Sequence, residues 1–105
     1  MLYRVADLPD APLAAAAQFY ARDLAAIEAL PGPVITLVLP PADHTHQAWR
    51  LAAVQGLARA LAPRRVNAVA STSEPAIAAA QGFLAAAPGV TGQLLQLDDN
   101  GAGQC

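Results

Sequence analysis

Six consecutive residues, Val34-Ile-Thr-Leu-Val-Leu39, constrain this chain more than any others. They are apolar almost without interruption, and Pro40-Pro41 closes them. A strand with one wet face alternates apolar and polar side chains. A run without alternation suits a strand covered on both faces, as in a parallel sheet lying between helices.

The flanking segments fit that architecture. Leu2-Tyr-Arg-Val-Ala6 reads as a short strand, and Asp10 is placed to cap a helix whose first turn takes Ala11 and Pro12. Leu13, Ala17, Tyr20, Leu24 and Ile27 recur at helical spacing, with a second stripe of Ala15, Phe19, Ala26 and Leu30 beside them. One stripe is expected to cover the sheet and the other to meet something else. Pro31-Gly-Pro33 ends this helix. A second helix, capped by Asp43 or Thr45, runs to Pro63 with Leu51, Val54, Leu57 and Leu61 toward the sheet. Trp49, Ala53, Gly56 and Ala60 form its other side, small enough apart from the tryptophan for another helix to approach closely. Val66 to Ala70 is a third strand. Ser71-Thr-Ser-Glu-Pro75 supplies cap chemistry for a helix that Pro88-Gly89 stops, and Gln93 to Leu97 is a last strand.

The order βαβαβαβ predicts an α/β fold: a partial Rossmann-like sandwich with a mostly parallel sheet of about four strands and three helices. Crossovers are expected to be right-handed. Three helices barely cover both faces of four strands, which leaves part of one face for a partner chain. At 105 residues, positions 1–105 form a single domain with a modest core.

Composition narrows the partners. Hydrophobic residues make up 55% of the chain and charged residues 13%, so it is globular rather than disordered. Much of the apolar share is alanine, which leaves an apolar surface and favours oligomers. The formal net charge is -2, and the six basic residues are all arginines, scattered but for Arg64-Arg65. Nucleic acid is therefore not an expected partner, because a phosphate backbone calls for a positive stripe. No polybasic segment suits acidic lipid, and the alanine run at 14–17 meets Arg22, Asp23 and Glu28 too soon to span a membrane. The single cysteine, Cys105, makes no internal disulfide, and the first residues lack a secretory signal pattern. These features read as cytoplasmic.

Three pieces in order resemble the short-chain dehydrogenase/reductase family over about residues 32 to 101: Ala52-Ala-Val-Gln-Gly-Leu-Ala-Arg-Ala-Leu-Ala62, Val66-Asn-Ala-Val-Ala70 and Thr91-Gly-Gln…Asp98. The resemblance implies a dinucleotide-binding type of fold entered at about the family's fourth strand, a truncated C-terminal half. It also implies where chemistry ought to sit. The family's lysine position falls on Leu51, its tyrosine on Gln47, and its serine near Val38 or Leu39. The chain has no lysine, leucine carries no proton, and glutamine does not exchange one near neutral pH. The glycine-rich turn that holds the family's cofactor pyrophosphate at a helix N-terminus is also missing, so no cofactor is expected.

Other chemistry-bearing residues are few. Asp43, His44 and His46 are the one local cluster of metal-ligand types, and the two histidines also suit acid–base work. Residues two apart at a helix start do not face one way, so the plainer reading of this cluster is a helix cap and a solvated loop. Ser71, with Thr72 and Ser73, suits either an anion at a helix N-terminus or plain capping, and Glu74 opposes the anion. Asp98-Asp99-Asn100 can attract a cation or form a polar tail.

The expected function is a non-catalytic dehydrogenase-like module that acts by self-association or as a structural partner of a full-length reductase. In the family, the helices matching residues 13 to 30 and 45 to 62 commonly build a four-helix bundle between subunits. By that resemblance Phe19, Leu30, Trp49, Ala53, Gly56 and Ala60 are interface candidates. The alternative is a small oxidoreductase-related enzyme or NAD(P)-binding protein with an altered site built on His44, His46 and Ser71.

Overall fold

The computed structural model describes residues 1–97; the Asp98-Asp99-Asn100 run and Cys105 lie outside the described residues. Four strands form one sheet: β1 (Leu2–Arg4), β2 (Val34–Leu39), β3 (Arg65–Ala70) and β4 (Leu94–Gln96). They lie side by side in chain order, every neighbouring pair parallel. The longest register joins β2 to β3 from Val34–Arg65 to Leu39–Ala70. These are the two apolar runs, and both are buried along nearly their whole length.

Helical segments fill each crossover. The first is continuous but not uniform: α1 (Pro12–Gln18), a π-helical turn (Phe19–Asp23) and α2 (Leu24–Glu28). Then come a 3-10 turn (His44–His46) leading into α3 (Gln47–Ala60), and α4 (Glu74–Ala85). Phe19, Ile27, Val54 and Leu57 pack on Ile35, Leu37, Leu39 and Val66, so the first two crossovers share one face of the sheet. Ile77, Ala80 and Leu84 pack on Val38 and Val69, so α4 lies alone on the opposite face. The sheet grows in one direction at every step. The β3–α4–β4 connection must therefore have the opposite hand to the other two. The right-handed expectation fails for at least one connection.

The π-helical turn corrects the stripes read from sequence. Leu13 is 87% exposed and Tyr20 45% exposed, whereas Ala15, Phe19, Asp23 and Ile27 are the buried set. Those four stand at strict four-residue spacing. In a regular α-helix such a stripe drifts by roughly 40° per step around the axis. A wider turn, in which the Leu24 N–H reaches the Phe19 carbonyl, cancels much of that drift and keeps all four facing the sheet. Burial of Asp23 is compensated locally. Its carboxylate accepts the Tyr3 hydroxyl at 2.7 Å and the Arg22 guanidinium at 3.1 Å, while Arg22 also donates to the Ala6 carbonyl at 2.6 Å.

The Arg64-Arg65 pair is spent on backbone carbonyls. Arg64 donates to Gly32 at 2.7 Å and to Leu30. Arg65 donates to Leu84 at 2.8 Å and Ala87 at 2.5 Å, which caps the end of α4.

Candidate functional site

The C-terminal edge of the sheet carries a pocket of about 350 Å³ between the loops that follow β1 and β2. Asp43 lies at its rim. The carboxylate accepts the Thr45 N–H at 2.9 Å and the Thr45 hydroxyl, which starts the 3-10 turn and holds the Asp43 carboxyl below the usual range. That turn carries His46 inward. Its Nε2 lies 2.9 Å from the Asp10 carbonyl, and its Nδ1 lies 3.1 Å from the Trp49 indole Nε1. An indole N–H only donates, so Nδ1 is the acceptor and Nε2 carries the proton. Both ring nitrogens are thereby occupied, and His46 serves as a brace between α3 and the loop after β1.

Arg50, one turn further along α3, is 3% exposed and lines the same pocket. Its Nη1 donates to the Pro40 carbonyl at 2.8 Å, and its guanidinium carbon lies 5.7 Å from the Trp49 ring centre. The Nε is buried with no partner. Loss of solvation lowers its pKa from the usual arginine value. Sequence inspection passes over Arg50 because the residue is charged. The available signal was its spacing: it stands four residues before Val54 and seven before Leu57, on the stripe that faces the sheet.

The sequence candidates do not converge. His46 and Asp43 line this pocket, Ser71 lines a different one with Arg4 and Glu74, and His44 is exposed and lines neither. Among the described residues no three His, Cys, Asp or Glu side chains come together as a metal site. Ser71 is a turn residue: its Oγ accepts the Ser73 N–H at 2.9 Å, and the Ser73 Oγ accepts the Ala76 N–H at 3.2 Å as the cap of α4. Arg4 and Glu74 close the neighbouring surface with a paired contact at 2.7 and 2.9 Å.

A nicotinamide nucleotide does not fit the residues present. Gln47 is exposed, Leu51 half-buried, and Val38 and Leu39 are packed in the core. The three loops that leave the C-terminal ends of strands, at 5–11, 40–43 and 71–73, contain no glycine. They lack the glycine-rich turn from which such a cofactor takes its close phosphate cradle.

The dehydrogenase-like motifs of β3 and β4 do structural work instead. Asn67 is fully buried; it donates to the Val90 carbonyl at 3.0 Å and accepts the Gln93 N–H at 3.0 Å. The Thr91 hydroxyl accepts the Val66 N–H at 3.0 Å, and the Gly92 N–H reaches the Val66 carbonyl at 2.7 Å with a φ of 73°. That left-handed backbone favours glycine. Together these bonds set the register of β4 on β3.

A second groove, of about 210 Å³, runs along the joined α1–α2 segment and α3. Tyr20, Leu24, Gly56, Leu57 and Ala60 line it. Of the interface candidates, Ala53, Gly56 and Ala60 border this groove. Phe19 does not: at 1% exposure it is a core residue, its ring 5.6 Å from Trp49 and 5.7 Å from Tyr20. The aromatic pair of Phe19 and Trp49 makes a helix–helix contact within the chain, and Leu30 is a partly buried neighbour of the same core.

The parallel four-stranded sheet with its helices, and β4 clamped to β3 through Asn67 and Thr91, form an α/β Rossmann-like arrangement. The chain belongs to the short chain dehydrogenase-like (SDR-like) protein family, whose model matches residues 3–97. The match takes in β1 and the first helical segment, further toward the N-terminus than the motifs that carry the resemblance. No curated protein and no solved structure matches the chain.

Proposed function

We propose that this protein is a non-catalytic short chain dehydrogenase-like module that works by association, pairing the α1–α2 and α3 face with a second copy or with the corresponding face of a reductase. The observation that carries the reading is the apolar groove between those helices. Tyr20 stands 45% exposed beside it, and Gly56 and Ala60 leave its floor low enough for a neighbouring helix. Large aromatics next to small residues are what close helix–helix docking uses, because the ring fills the space that the small side chains leave. Glu28 is the one charged residue in the lining.

The positions where the family places its proton relay support the same reading from the other side. Gln47 and Leu51 offer an amide and a hydrocarbon. The Tyr3 hydroxyl is tied to Asp23 and does not face the pocket of Arg50.

The test is the oligomeric state in solution, for the native chain and for Ala60→Arg. The variant places a cation on the exposed edge of the groove without touching the core. Association that is lost in Ala60→Arg while the circular dichroism spectrum is kept supports the proposal. Calorimetric titration with NAD(H) and NADP(H) is the counter-test, and tight binding of either overturns it.

A further inference from the structure

We propose that the pocket at the C-terminal edge of the sheet binds a small organic carboxylate, held by the Arg50 guanidinium. The inference is independent of the association described above. A buried cation is costly unless a counter-charge and hydrogen bonds compensate it. Arg50 is 3% exposed, yet Nη1 to Pro40 is its one hydrogen bond among the described residues, and Nε has no partner. Asp10 and Asp43 line the same pocket, and neither forms an ion pair with it. The Trp49 ring at 5.7 Å offers only a weak attraction to the cation. The protein therefore holds a positive charge at a ligand-sized pocket with no carboxylate bonded to it.

The rest of the lining narrows the class. His46 has both nitrogens engaged, and Asp43 is occupied by Thr45, so Arg50 holds the spare donors. A guanidinium presents a planar fork, which a planar carboxylate matches with two parallel hydrogen bonds. The carboxylates of Asp10 and Asp43 at the rim oppose a dianion such as phosphate more strongly than a monoanion. Leu8 and Pro40 supply apolar wall for a short hydrocarbon body. The site suits an aliphatic acid of a few carbons.

Trp49 is the chain's only tryptophan and lies beside the guanidinium, so its fluorescence reports on the site. Titration of the full chain with butyrate at constant ionic strength is expected to give a saturable change, half-complete at about 1 mM. Inorganic phosphate is expected to bind at least about tenfold more weakly under the same conditions. Arg50→Met is expected to abolish the response. Asp10→Asn provides a variant that does not depend on the core, because Asp10 braces His46 through its backbone carbonyl. Loss of that rim charge is expected to tighten butyrate binding by about threefold, the scale of one screened charge contact. A flat titration, an unchanged or weakened affinity in Asp10→Asn, or phosphate binding as tight as butyrate overturns the proposal.

Discussion

The side-chain carbonyl of Asn67 accepts the backbone N–H of Gln93 at 3.0 Å, so one buried amide on β3 fixes where β4 begins. Its amide nitrogen meets Val90 on the same incoming loop, and both groups are satisfied in a site closed to water. A buried amide paired on both sides is worth far more than its net contribution suggests when one side is removed, because the orphaned partners keep their desolvation cost.

Asn67→Ala is therefore expected to lower unfolding free energy by about 2 to 4 kcal/mol, the combined cost of two unsatisfied backbone groups. Urea unfolding measures it. A loss under about 0.5 kcal/mol, the level of an ordinary surface change, contradicts the clamp.

Phe19 and Leu13 separate the two readings of the first helical segment. Phe19→Ala is expected to cost about 3 to 5 kcal/mol through a core cavity, and Leu13→Ala about 0.5 kcal/mol or less. Comparable losses at both positions would restore the stripe through Leu13, Tyr20 and Leu24 and remove the role assigned to the π-helical turn.

Tyr3 gives a pH signature. Its hydrogen bond to the Asp23 carboxylate, with burial adding to the effect, raises the phenol above the ordinary tyrosine value. A raised folded-state pKa contributes stability that is present below the unfolded value of about 10 and is lost as pH climbs through the folded value. In Tyr20→Phe protein, Tyr3 is the sole remaining tyrosine. Its ultraviolet ionisation is expected above pH 10 or so, with stability declining over the same alkaline window. Ionisation at or below the ordinary value contradicts the Tyr3–Asp23 bond.

The elements themselves were legible because their signals are local. Apolar runs at 34–39 and 66–70 mark β2 and β3, and prolines at 31, 33, 40, 41 and 63 mark the breaks around them. Ser73 caps α4 within the turn that its sequence announced. Which helix face meets the sheet was not legible, since one wider turn at Phe19–Asp23 re-phases the stripe without any residue signature. Nor was the hand of the last crossover, which follows from α4 packing against Val38 and Val69 on the face opposite the other helices. The site followed the same rule. At the positions where the resemblance places a tyrosine and a lysine, Gln47 and Leu51 were readable directly. The brace of Asp10, His46 and Trp49 and the bare Arg50 guanidinium join residues up to 36 positions apart and exist only once the sheet brings its loops together.

Sedimentation equilibrium tests most directly whether the module acts by association. The 10.7 kDa chain is expected to sediment as a dimer or larger at micromolar concentration and, as Ala60→Arg, at its monomer mass with its helical spectrum intact. A native chain that stays monomeric across that range, both alone and mixed with a full-length reductase of the same family, contradicts the account.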